Sequence, residues 1–93
     1  MRGAVPIHVL FHAAESEVHG VELIEELGRH GHRLSPGTLY PMLHRLEERG
    51  LLRSRRTVER GRMRRSYVAT AKGRRALEDC RRALQELAEE VLT

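Results

Sequence analysis

A chain of 93 residues and 10.7 kDa makes one small domain, with a thin core that buries roughly 60–65% of the unfolded surface. Its 40% hydrophobic and 32% charged residues exclude a disordered chain. The single Cys80 excludes a disulfide framework or a multi-cysteine zinc site within one chain, and the net charge of +4 hides a sharp partition along the sequence.

The opening stretch, MRGAVPIHVLFHAAE, is interrupted by His8 and His12 and does not read as a signal peptide. No run approaches the ~20 apolar residues of a membrane span, so a cytoplasmic protein is expected. Pro6 suits a first helical turn, where its missing N–H would be unpaired anyway. Ile7, Leu10, Phe11 and Ala14 then form one apolar face at helical spacing. Val5, Val9 and His12 make a second stripe, read as a contact with another helix, from a second subunit. His8 and His12 also have the i, i+4 spacing of a helical metal pair. Two histidines do not make a site, and further ligands would have to come from elsewhere, such as a partner chain, so no metal is expected.

His19-Gly20 breaks the chain. A second helix follows with Val21, Leu23, Ile24 and Leu27 apolar and Glu22, Glu25 and Glu26 outward, ending near Gly28 to Gly31. Ser35-Pro36 starts a third helix, with Ser as N-cap and Pro at the first position, and Gly50 closes it. Leu39, Met42, Leu43 and Leu46 share its apolar side, while Gly37, Tyr40, Pro41, His44, Arg45 and Glu48 take the other. Pro41 cannot donate to the Gly37 carbonyl, so either the helix kinks or its regular part begins at Thr38.

Residues 51–58 and 64–70 read as two strands joined by residues 59–63, with Gly61 as the turn signal. Residues 49–65 carry eight Arg against Glu59 alone, whereas residues 1–48 carry four Arg against seven Glu. All the excess positive charge therefore sits in one 17-residue stretch. A one-sided Arg cluster raises the local anion concentration, and the planar guanidinium suits phosphate. A ribbon with Arg at its tip fits a nucleic-acid groove or backbone.

Thr70 caps a last helix whose apolar positions, Leu77, Cys80, Leu84, Leu87 and Val91, are spaced 3, 4, 3, 4. This heptad seam packs along another helix, either a second copy of the chain or its own domain. Cys80 in that seam behaves as a small apolar group. Three aromatics (Phe11, Tyr40, Tyr67) do not build a cage for a planar ligand. With no catalytic constellation and no Gly-rich phosphate loop, an enzyme is not expected, nor a cofactor.

The segments LSPGTLYPMLHRLEERGLL (34–52) and GRMRRSYVATAKGRRAL (61–77) resemble the PadR family of transcriptional regulators. His19-Gly20, followed by Glu22 and Ile24, fits the family's second-helix motif. Val21 stands where an aromatic is common, Ser66 where Tyr often sits and Ala69 where Leu is usual, changes expected to thin the core. The resemblance implies a mainly α fold with a small two-stranded β wing: a winged helix-turn-helix over 1–70 and a C-terminal dimerisation helix over 71–93. It also implies a homodimeric, effector-responsive repressor of double-stranded DNA at a pseudo-palindromic operator. Ser35, Gly37, Thr38, Tyr40, Pro41, His44 and Arg45 would belong to the reading helix, and Arg60, Arg62, Arg64 and Arg65 to the wing. Val5, Val9, His12, Leu77, Cys80, Leu84, Leu87 and Val91 would hold the dimer, with a cavity there for a small-molecule effector of unknown identity. Two alternatives stand beside this reading: a metal- or redox-gated regulator using His8, His12 or Cys80, and a winged helix that binds protein. The polar third helix beside an Arg-rich wing favours DNA over protein.

Overall fold

The computed structural model describes residues 4–93, in the order α1 (Ala4–Glu15), β1 (Val18–His19), α2 (Gly20–Arg29), α3 (Pro36–Glu48), β2 (Leu52–Glu59), β3 (Arg62–Ala69) and α4 (Ala71–Leu92). This is a mainly helical winged helix-turn-helix with a small antiparallel sheet. Its boundaries follow local chemistry. Pro36 opens α3, and Gly50, at φ +76°, takes the left-handed conformation that ends it. Ser35 holds the extended conformation of an N-cap, but its hydroxyl sits 3.3 Å from that of Thr38 and caps no backbone N–H. The helix already includes Pro36 and Gly37, so a start at Thr38 is ruled out and Pro41 lies inside. The Gly37 carbonyl loses its usual donor on an exposed face, where water can replace it. Thr70 does cap α4, accepting from the Gly73 N–H at 3.0 Å.

The sheet departs from expectation in two ways. The β2–β3 ladder runs from Leu52↔Ala69 out to Glu59↔Arg62, leaving only Arg60-Gly61 as the turn, not residues 59–63. Both residues have positive φ (51° and 76°), the paired left-handed geometry whose twist suits a two-residue hairpin. There is also a third strand. Val18 and His19 pair with Tyr67 and Ser66, giving the order β1-β3-β2. Two residues carry no alternation to read, so this strand was invisible in the sequence.

The core gathers Val9, Leu23, Leu27, Leu39, Leu43, Leu52 and Tyr67, with Val5, Leu10 and Ala13 beside them. Val5 and Val9 are thus corrected from the expected subunit seam to the chain's own core. α2, β3 and α4 all touch α1, so the Val5 and Val9 stripe is filled within one chain, while Phe11 on the other stripe stays 39% exposed. Ile7 and Phe11 face Leu77, Cys80 and Leu84 across a cleft. The first part of α4 therefore lies on its own domain. From Arg81 onward every residue of α4 is exposed, and Leu84, Leu87 and Val91 each show more than half of their surface. Of the three family departures, Ser66 and Ala69 are buried, but Val21 is 59% exposed and takes nothing from the core.

Candidate nucleic-acid interface

Burial of Leu39, Leu43 and Leu46 turns the opposite side of α3 outward. Ser35, Gly37, Thr38, Pro41, His44 and Arg45 are all exposed there, as the sequence predicts. Tyr40 is different. It is half-buried against the core, and its ring lies so close to Gly20 that a Cβ at that position would collide with it. Gly20 is therefore what lets the start of α2 pack onto α3. The Tyr40 hydroxyl makes no hydrogen bond among the described residues.

The wing is fastened to the rest of the domain by two carboxylates. Glu47 of α3 accepts from the Ser54 backbone N–H at 3.1 Å and from its hydroxyl at 2.7 Å. The Ser54 hydroxyl holds the Glu47 carboxyl below its usual range. Glu17, between α1 and β1, accepts from Arg55 Nε at 2.6 Å and from the Ser66 hydroxyl at 2.7 Å. The Arg55 guanidinium, with Ser66 after it, pulls the Glu17 carboxyl from 4.5 down to about 2. A carboxyl whose pKa is lower when folded stabilises the fold above its unfolded pKa and loses that contribution as pH falls. Wing anchoring is expected to weaken as the pH drops from about 4.5 towards 2, and Glu17→Gln to flatten that acid limb. Acid titration followed by circular dichroism checks this; identical acid limbs would remove Glu17 from the account.

The wing arginines divide by partner. Arg60 and Arg62 flank the tip, exposed and without an ion pair among the described residues. Arg64 is engaged: its guanidinium lies 2.8 Å from Glu59 and 3.4 Å from Glu22, tying the wing to the start of α2. Arg65 is half-buried on the opposite face of β3, the face that carries Tyr67 into the core. Of the four arginines expected on the wing, two are therefore free for a ligand, one is a strut and one is turned inward.

Two cations were missing from the expected site residues, although Arg49 was counted in the Arg-rich stretch. Arg33 and Arg49 line a groove with Thr38 and Arg45, on the flank of α3 away from the wing. Thr38, Arg45 and Arg49 are spaced 7 and 4, which one helical face requires, so Arg49 was legible. Arg33 comes from the loop before α3 and carried no such signal. The outward face of α3 is thus bordered on one flank by Arg33 and Arg49, while Arg60 and Arg62 line a separate groove with Val21 at the start of α2.

The remaining predicted residues lie elsewhere. Leu77, Cys80, Leu84, Leu87 and Val91 follow one side of α4, half-buried at first and then exposed. His8 and His12 do not wait for a partner chain: they meet His30, at the end of α2, in the same chain. Glu26, expected to point outward, is half-buried beside them. Burial, then the neighbouring His30, His32 and His12, push His8 below its ordinary pKa.

The pattern of the transcriptional regulator PadR-like family matches residues 9–79. A transcriptional regulator of Mycobacterium tuberculosis is 63% identical over 91 residues, covering 98% of this chain and 85% of that protein. Among solved structures, a PadR family transcriptional regulator from Eggerthella lenta superposes with a TM-score of 0.84 at 32% identity, covering 97% of this chain and 80% of that one. A PadR-like transcription factor from Bacteroides fragilis gives 0.86 at 27% identity, covering 96% and 87%. No helix among the described residues is long and apolar enough to cross a membrane. With its helix-turn-helix, basic wing and these relatives in agreement, the chain belongs to the PadR-like family of transcriptional regulators.

Proposed function

We propose that this regulator is a homodimeric repressor that reads a pseudo-palindromic DNA operator, with α3 in the major groove and the wing at the neighbouring minor groove. One observation carries the reading: the exposed polar face of α3 has free arginines along one flank and the wing tip carries two more, while nearby Glu17, Glu47 and Glu59 are already engaged by the protein itself. A phosphate backbone therefore meets Arg33, Arg45 and Arg49 along α3 and Arg60 and Arg62 at the wing tip. The exposed hydroxyls of Ser35 and Thr38 at the start of α3 suit phosphate, whereas that of Tyr40 is packed on Gly20, and His44 and Arg45 reach towards base edges. Glu48 is exposed on the outward side near the end of α3. Its charge repels phosphate, so the N-terminal two-thirds of the helix does the reading.

Two copies joined through Leu84, Leu87 and Val91 would set two reading helices about 34 Å apart, in successive major grooves. A small-molecule effector would act where α4 meets α1, and the protein would work in the cytoplasm, on the nucleoid. Selection of bound sites from random duplex DNA tests the proposal. A palindrome with half-sites one helical turn apart is expected; an unsymmetrical site or no enrichment rejects it.

The division of the wing adds a sharper test. Arg60→Ala and Arg62→Ala are each expected to weaken binding to every sequence alike and to reduce the salt slope by about 0.9 per lost phosphate contact. Arg64→Ala removes a strut and should leave that slope nearly unchanged. Fluorescence anisotropy across a salt series separates these outcomes, and equal slopes for all three variants would refute the division.

A further inference from the structure

Four of the six histidines gather on the side of the domain where α1 meets the end of α2. His8 and His12 stand one turn apart on α1, and His30 occupies the C-cap of α2. One ligand-type nitrogen from each lies within 4.8 Å of the others. Glu26 Oε1 adds an oxygen, 3.8 Å from His12 Nε2 and 3.6 Å from His30 Nε2. Both separations are too long for hydrogen bonds, and His12 Nε2 is buried with no hydrogen-bond partner. An unsatisfied buried nitrogen beside two more imidazoles and a carboxylate is an arrangement that a shared cation would satisfy.

We propose that His8, His12 and His30, with Glu26 as the fourth ligand, bind one divalent transition-metal cation of the zinc class and so clamp α1 to the end of α2. Three imidazoles and one carboxylate suit zinc, nickel or cobalt, and do not suit the all-oxygen preferences of magnesium or calcium. At a metal–nitrogen distance of about 2.0–2.1 Å, tetrahedral ligand atoms lie roughly 3.4 Å apart. The ligand atoms therefore close in by up to about 1.4 Å, within the reach of small torsional changes. The i, i+4 spacing places His8 and His12 on one face, and Glu26 and His30 repeat that spacing on the facing element. Arg29, at 2.6 Å from Glu26 Oε2, holds the carboxylate so that its other oxygen turns towards the histidines. Cys80 lines the adjoining cleft and is not part of the set.

Titration of the full chain with cobalt(II), in the absence of DNA, tests the site by its ligand-field absorption. One cobalt ion per chain is expected, displaced by zinc. His12→Ala and His30→Ala should each weaken binding by more than the ~10–100-fold that loss of an outer-shell partner alone costs, with unchanged far-UV circular dichroism. His44→Ala and Cys80→Ser should bind like the parent. Zinc should raise the melting temperature of the parent but not that of His30→Ala, an exposed substitution that leaves the core intact. Absence of a saturable cobalt spectrum would overturn the proposal, as would binding that survives both histidine variants or is lost with Cys80→Ser.

Discussion

Leu87→Glu is expected to break the proposed dimer into folded monomers that no longer hold the proposed operator, although every residue proposed to face DNA is intact. Leu87 lies on the exposed half of α4 with 56% of its surface free, so the single chain has no use for it as core. The domain core, built from α1 to β3, does not reach it. Far-UV circular dichroism should therefore be unchanged. In a two-fold dimer each copy contributes one Leu87, and the substitution brings two carboxylates into an apolar seam. Burying an unpaired carboxylate costs several kcal/mol, and the two charges also repel each other. A lone reading helix has a small contact area and few phosphate contacts, so a monomer binds weakly and with little specificity. Sedimentation of the variant beside the parent, followed by operator titration, decides it. A variant that stays dimeric and still binds DNA would move the interface away from the end of α4.

The second large effect is expected at Gly73, in the first turn of α4. A Cβ there would run into the carbonyl oxygen of Leu51 and lie 3.0 Å from its carbonyl carbon. Those atoms are backbone, and the same carbonyl accepts the Thr70 N–H at 3.1 Å, so it has no room to yield. In Gly73→Ala the better helix propensity of alanine is worth about 1 kcal/mol at most, and less in a first turn. Overpacking costs about 1–3 kcal/mol, and the steric term wins. α4 would be levered off the start of β2, lowering the melting temperature by roughly 4–8 °C per kcal/mol in a domain of this size. Gly28→Ala is the control. Nothing lies within 4 Å of a Cβ on Gly28, so that change should stabilise α2 by about 0.5–1 kcal/mol. The melts are compared at equal protomer concentration, since association contributes to apparent stability. Equal melting temperatures for the two alanine variants would show that the close approach at Leu51 has no weight.

What the sequence alone determined is whatever local backbone chemistry decides. Pro36 at a helix start, the Thr70 hydroxyl on the Gly73 N–H, and the left-handed Gly50 and Gly61 act within a few residues, so their signals survive without a fold around them. The outward face of α3 and the apolar side of α4 were legible for the same reason, since helical spacing is a property of one element. The winged fold followed from the order of these elements, and the long match through residues 34–52 and 61–77 added the family. What only the tertiary structure decided depends on which elements meet. Val5 and Val9 looked like a spare stripe because the sequence does not say that α2, β3 and α4 all close on α1. Arg64 looked like a free cation until Glu22, 42 residues away, came within reach of it. The strand Val18–His19 exists only because β3 offers it an edge. His8 and His12 remained an incomplete pair until the end of α2 brought Glu26 and His30 alongside. In each case the deciding contact joins residues that are distant along the chain, and pairwise spacing carries no trace of such a contact.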